Sequence, residues 1–283
     1  MKLCRYGKPG YEKPGMIDAE GKLRDLSKVV ESIGPNELSP RGLKMLTRQK
    51  PESLPLVNGN QRFGVPYVGI GKFVAIGLNY SDHAKEAGLP LPAEPIVFMK
   101  ATTCINGPND DVVQPRNSAK LDWEIELGVV IGTTARYVDE ASALSHVAGY
   151  CIVNDVSERS FQMATSQWDK GKGFDTAGPI GPWLVTTDEI TDPQRLDMRL
   201  EVNNRVMQSG NTRTMVFNVA KIISHVSQYM TLLPGDIIAT GTPPGVGLGI
   251  KPNPVFLKVG DVMTLTIEGL GQQKQKVIAY SAR

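Results

Sequence analysis

Apolar runs in this chain are short, and glycine or proline interrupts nearly all of them; 29 Gly and 20 Pro are spread through 283 residues. A long helix cannot absorb such a pattern, because glycine costs about 1 kcal/mol and proline about 3 kcal/mol in a helix interior. The spacing therefore predicts a mostly β (α+β) protein with few long helices. Strands are read at 126–132, 148–154, 182–186, 198–208, 236–240 and 261–268, and helices at Ser81–Glu86, Glu140–Ser145, Glu158–Ser166 and Val219–Tyr229. These strands do not alternate with ten-residue helices, so Rossmann and TIM-barrel plans are disfavoured. Residues 1–68 read as a small β-rich domain, with hairpin signals at Pro14-Gly15 and Glu20-Gly21 and one short helix over Pro40–Gln49. A boundary at 65–70 leaves 69–283 as the larger domain.

A chain of this length buries roughly three quarters of its extended surface and folds without disulfide or structural metal. Any metal should then serve chemistry. The formal charge is only +2, and no long basic run holds a polyanion, which argues against a nucleic-acid partner. Cys4, Cys104 and Cys151 are odd in number and in no metal or redox spacing, as expected of a reducing compartment. The first residues, MKLCRYGKPGYEKPG, lack the apolar core of a signal peptide, and no stretch approaches the ~18 apolar residues of a membrane helix. A cytoplasmic protein with no membrane contact is the expectation.

The segment Lys120–Gly132, KLDWEIELGVVIG, carries the sharpest chemical signal. On one continuous strand Asp122, Glu124 and Glu126 share a face. Such a triplet also suits a solvated edge strand, but this one runs directly into apolar GVVIG and so into the core. Crowded, partly buried carboxylates repel one another unless a cation neutralises them, and a divalent metal does so economically. Asp155, closing the apolar run AGYCIVN, offers a third oxygen ligand, although alone it would equally suit a cap on the helix from Glu158. Oxygen ligands without nearby His or Cys point to Mg²⁺, with Mn²⁺ or Ca²⁺ as substitutes.

Two further clusters suit such a site. Lys172, between glycines in WDKGKGFDT, is placed to aim an amine at an oxyanion, or else to sit solvated in a loop. His83 and Glu86 stand three apart on a helical turn, where a carboxylate raises imidazole basicity as a water-activating base requires; an incidental surface ion pair is the plainer alternative. Gly245–Gly249 is no dinucleotide fingerprint, because prolines on both sides prevent a helix from starting there. The turn ATGTPPG before it offers hydroxyls and N–H groups as a seat for a carboxylate.

Together GLNYSDHAKE, IVFMKATT, DWEIELGVVIG, YCIVNDVSERSFQ, KGKGFDTAGPIGPW, QSGNTRTMVF and LLPGDIIATGTPPGVG resemble the fumarylacetoacetate hydrolase superfamily, from about Lys72 to the end of the chain. The chain looks most like its bacterial diketo-deoxy-sugar-acid hydrolases and ureidoglycolate lyases. The resemblance implies a mixed β-roll catalytic domain in a homodimer, with Mg²⁺ held by Glu124, Glu126 and Asp155. It implies that Lys172, Arg159 and Gln162 contact substrate, that Thr242 helps bind its carboxylate, and that His83 with Glu86 forms the water-activating pair on a lid. The expected reaction is hydrolysis of a carbon–carbon bond in a 2,4-dioxo acid, giving pyruvate and a second carboxylic acid. The substrate is then a small oxo acid. Ureidoglycolate lyase, a 2-oxo acid decarboxylase of the oxaloacetate type, and a non-enzymatic oxo-acid binder are the alternatives.

Overall fold

The computed structural model describes residues 1–281. Its backbone is organised by a ten-stranded mixed sheet. The strands run in the spatial order Leu23–Asp25, Lys13–Ile17, Lys2–Tyr6, Gly178–Thr186, Val147–Asn154, Ile125–Ile131, Ile237–Ala239, Phe73–Gly77 and Ile96–Lys100, with Ile105–Asn106 parallel to Gly178–Thr186. The 1–68 segment thus joins the larger part of the chain through Lys2–Tyr6, antiparallel to Gly178–Thr186. At the centre, Ile125–Ile131 lies between Val147–Asn154 and Ile237–Ala239, and all seven of its residues are buried. A strand covered on both faces needs no polar alternation, which is why the IELGVVI run is almost continuously apolar.

A second sheet of five strands runs Arg205–Asn211, Asp197–Val202, Val262–Ile267, Gly271–Ala279 and Val112–Gln114. The segment 198–208, read as one strand, is a hairpin. Asn203 and Asn204 turn it with φ of 51° and 65°, the left-handed pair that a two-residue hairpin loop favours. The sequence pattern does not predict the strand Gly271–Ala279, because its inward positions include Gln273 and Gln275 rather than apolar residues alone. Both are fully buried, and Gln273 Nε2 donates to Ile152 O and Gly181 O at 2.7 and 2.9 Å. The helix read over Glu158–Ser166 is only Arg159–Gln162, preceded by the short strand Ser157–Glu158. Glu158 itself caps it, accepting from Phe161 N, so the capping alternative for Asp155 does not hold.

No described helix is long and apolar enough to cross a membrane. The helix Ser81–Ala87 follows the strand Phe73–Gly77 and ends at Gly88, whose φ of 69° closes its last turn. Its entry is braced by the fully buried Asn79, which donates to Thr240 O and Phe217 O and accepts from Phe217 N. That side chain holds the helix against the end of Ile237–Ala239, where the loop 240–249 begins.

Candidate metal and active site

The strand carrying the acidic triplet is broken at Trp123–Glu124. Leu121–Asp122 pairs separately with Ser157–Glu158, and the central strand starts only at Ile125. Asp122 therefore leaves the other two carboxylates. It receives Arg159 Nε at 2.8 Å and the backbone N–H groups of Gly247 and Leu248 at 2.7 and 3.0 Å. Glu124, Glu126 and Asp155 come together instead, all buried, with one oxygen of each within 4.8 Å of the others. Asp155 is brought there by its own backbone, whose N–H donates to Glu124 O at 2.9 Å.

Three cations surround this cluster. Lys172 Nζ lies 2.7 Å from both Glu124 Oε2 and Asp155 Oδ2. Arg159 spans Asp122 and Glu124 and also donates to Gln162 Oε1 at 3.0 Å. Lys100 Nζ donates to Asp155 Oδ1 and to Lys172 O. Lys172 is thus no loop lysine in solvent; it ends the helix Asp169–Lys172 and is 3% exposed. Lys100 stands in IVFMKATT, where no local pattern marks it as a site residue. Its position could have been read only by knowing that Ile96–Lys100 is a strand at the site.

Electrostatics divide the three carboxylates. Burial opposes ionisation of Glu124, but Lys172 and Arg159 outweigh it and hold the carboxyl at about 2. Glu126 goes the other way. Burial, then the charges of Asp155 and Glu124, push it well above the ordinary carboxylate range. It has no ion-pair partner among the described residues and accepts one hydrogen bond there, from Gly241 N at 2.8 Å. Among the described residues, the cations paired with Asp122, Glu124 and Asp155 are Lys100, Arg159 and Lys172, and the uncompensated charge falls on Glu126. An under-partnered buried carboxylate beside two others fits a divalent cation. Lys172 and Arg159 both stay protonated, since the carboxylates more than offset the burial that would discharge them.

The loop 240–249 ties this cluster to the histidine. Gly241, with φ of 91°, turns its N–H to Glu126, and a Cβ there would meet Asn79 Cβ at 2.8 Å. Gly245 N donates to Glu86 Oε1 at 2.9 Å, and Glu86 Oε2 lies 2.9 Å from His83 Nδ1. Two N–H groups of the turn read as a seat for a ligand carboxylate, those of Gly241 and Gly245, thus donate to the protein's own carboxylates, as do Gly247 and Leu248 just beyond it. Thr242 lies in this loop with its hydroxyl donating to Ile125 O and accepting from Gln208 Nε2, both at 2.8 Å. Gln208, fully buried, also accepts from Ile125 N and donates to Pro243 O, so it clamps the loop to the start of the central strand. Sequence reasoning missed it; a buried glutamine in QSGNTR carries no periodic signal.

The structure thus gathers Glu124, Glu126, Asp155, Lys172, Arg159 and Gln162 into one buried cluster, and brings His83 with Glu86 onto the loop that contacts it. A mixed sheet whose central strand delivers carboxylates to a site closed by a short helix and a glycine-rich loop defines a class of proteins. The chain belongs to the fumarylacetoacetate hydrolase family: the family's "Fumarylacetoacetate (FAA) hydrolase C-terminal" region matches residues 72–278. A Burkholderia ambifaria protein named provisionally as a hydrolase is 60% identical over 276 residues, covering 97% of this chain and 98% of that one. A fumarylacetoacetate hydrolase from Exiguobacterium antarcticum superposes with a TM-score of 0.89 at 37% identity, over 99% of this chain and 100% of the other. Maleylpyruvate hydrolase from Sphingobium sp. SYK-6, solved with manganese(II) and pyruvate, gives 0.83 at 28% identity over 99% and 100%. A 5-carboxymethyl-2-hydroxymuconate delta-isomerase from Mycobacterium smegmatis gives 0.77 at 31% identity over 100% of both chains.

Proposed function

We propose that this protein is a Mg²⁺-dependent hydrolase that cleaves a 2,4-dioxo acid into pyruvate and a second carboxylic acid. The observation that carries the reading is the joining, through one loop, of an under-partnered carboxylate cluster to a hydrogen-bonded His–Glu pair. The manganese and pyruvate in the maleylpyruvate hydrolase structure support the same class of ligand.

Glu124, Glu126 and Asp155 would hold the ion, Mn²⁺ or Ca²⁺ serving in place of Mg²⁺. When bound, it supplies Lewis-acid polarisation of a 2-oxo acid. His83, oriented by Glu86, takes a proton from water. The hydroxide oxygen bonds to C4 of the substrate, and the C3–C4 bond breaks. Its electron pair passes into the 2-oxo group to form the enolate of pyruvate, which a proton returned to C3 converts to pyruvate. Lys172, held between Glu124 and Asp155, would direct positive charge toward that oxyanion. Arg159 and Gln162 orient the cluster and the substrate, and Thr242 fixes the loop that faces the substrate carboxylate. Substrate is a small oxo acid, with neither nucleic acid nor membrane as partner. The same reading takes the enzyme as a cytoplasmic homodimer with its catalytic domain at 69–283 and a smaller β-rich domain at 1–68.

Decarboxylation of a 2-oxo diacid needs no attacking water, and elimination of urea from ureidoglycolate needs no carbon–carbon cleavage. The His83–Glu86 contact favours hydrolysis over decarboxylation, and the products separate hydrolysis from elimination. Incubation with Mg²⁺ and, separately, a 2,4-dioxo acid, oxaloacetate, ureidoglycolate and a hydroxymuconate-type diacid, with products identified, tests the proposal. Stoichiometric pyruvate and carboxylic acid from the dioxo acid are expected. Carbon dioxide, glyoxylate or an isomer as the main product would replace the hydrolase reading with the corresponding alternative.

A further inference from the structure

Strand Ile96–Lys100 lies at the end of the large sheet, and its alternate residues Ile96, Phe98 and Lys100 share one face. Lys100 reaches Asp155 at the cluster. One step along the same face, the ring of Phe98 stands 5.4 Å from Lys172 Nζ. Trp168 meets Phe98 edge to face, with centroids 5.3 Å apart and planes at 68°. The indole can lie there because residue 77 is glycine: a Cβ would fall 2.6 Å from Trp168 Cζ3 and 3.5 Å from Ile96 Cγ2. Phe98 and Trp168 are half-buried, and Ile96 is 37% exposed. One face of one strand thus grades from a charged anchor at the carboxylates to aromatic and then aliphatic surface.

The cations beside this wall are already engaged. Lys100, Lys172 and Arg159 each pair with a carboxylate of the cluster. A carboxylate at the far end of a substrate would meet aromatic and aliphatic surface, and these three cations already have carboxylate partners. Hydroxyls of a sugar-derived chain would lose water there without gaining partners. An aryl or alkyl group would exchange water for aromatic contact.

Resting on the hydrolase reading above, we propose that Ile96, Phe98 and Trp168 receive the 4-acyl group and select 2,4-dioxo acids with an apolar substituent over those ending in a carboxylate or a polyhydroxy chain. The test compares kcat/KM of the full-length protein with Mg²⁺ on three substrates sharing the pyruvoyl end: 2,4-dioxo-4-phenylbutanoate, 2,4-dioxopentanoate and a carboxylate-ended 2,4-dioxo diacid. The phenyl substrate should exceed the methyl one by about 10-fold or more, the scale set by apolar pocket contacts, and the diacid should be poorest. Trp168→Ala should lower the phenyl-to-methyl ratio by about 10-fold, and Trp168→Phe should retain most of it. A preference for the diacid, or a ratio unmoved by Trp168→Ala, overturns the proposal.

A binding measurement separates this proposal from the reaction on which it rests. With Mg²⁺ present, phenylpyruvate should quench the fluorescence of Trp168 at a concentration at least about 10-fold below that needed for oxaloacetate. That signal should be lost in Trp168→Phe. If none of the dioxo acids is cleaved, the hydrolase reading falls and this titration still decides the wall: equal or tighter binding of oxaloacetate overturns it.

Discussion

Glu126→Gln should reverse its effect on stability according to whether metal is present. Two unit charges 4.8 Å apart at an effective dielectric near 20 repel by about 3 kcal/mol. Glu126 faces two such carboxylates, and Lys172, which also acts on it, offsets part of that repulsion. The amide keeps the acceptor for Gly241 N and adds a donor toward Asp155 or Glu124. Allowing for the fraction of native protein that escapes repulsion by binding a proton, the metal-free variant should be more stable than the native protein by about 1–3 kcal/mol at neutral pH. In a protein of this size each kcal/mol moves the melting temperature by about 2–4 °C. With Mg²⁺ at about 1,000 times its Kd the native protein gains about 4.1 kcal/mol, whereas the variant, having lost a ligand, gains little. Thermal unfolding in chelator and in Mg²⁺ should therefore show the two melting curves exchanging order. A variant no more stable than native in chelator, or an equal Mg²⁺ shift in both, would refute the view that Glu126 is the uncompensated charge of a metal site.

Lys172→Met should cut dioxo acid turnover by at least ~100-fold, the scale of one lost oxyanion donor. It should also destabilise the metal-free protein by about 3–5 kcal/mol because two buried carboxylates lose their shared partner; a melting curve unchanged in chelator would contradict the double contact. His83→Ala is expected to lower dioxo acid cleavage by about 10²- to 10⁴-fold with Mg²⁺ affinity unchanged, while any oxaloacetate decarboxylation falls much less. Equal collapse of both activities would assign the histidine to ordering the helix Ser81–Ala87 rather than to water. For pH, Glu126 is raised on folding, so its contribution is favourable below the ordinary carboxylate pKa and is lost as pH rises. Glu124, lowered to about 2, contributes above the ordinary value and loses that only as pH falls through about 2. Stability in chelator should accordingly decline from about pH 5 upward, and Mg²⁺ binding at neutral pH should release protons, detected as a calorimetric heat that varies with buffer ionisation enthalpy. Proton uptake on binding would exclude Glu126 as the titrating ligand.

Much of the site was legible in the sequence because its residues lie in short motifs with fixed chemistry. The continuation of Glu124 and Glu126 into GVVIG requires a buried strand, and charges carried into a core require compensation. The i, i+3 spacing of His83 and Glu86 places them on one helical face, and the structure finds them 2.9 Å apart. Glycine and proline likewise excluded long helices through local backbone energetics alone. What sequence periodicity cannot carry is the identity of a partner distant in the chain. Asp122 belongs by pattern with Glu124 and Glu126, yet a break in the strand and the arrival of Arg159 and the loop at Gly247 take it elsewhere. Gln208, Gln273 and Gln275 occupy core positions that period-two reasoning reserves for apolar residues, because each meets backbone or amide partners across strands. Lys100 and Lys172 are 72 residues apart, and only the packing of a sheet-edge strand against a one-turn helix turns two unremarkable lysines into the counter-charges of one carboxylate. Local chemistry is written along the chain; charge balance at a buried site is a sum over neighbours in space, and only the fold determines which charges enter it.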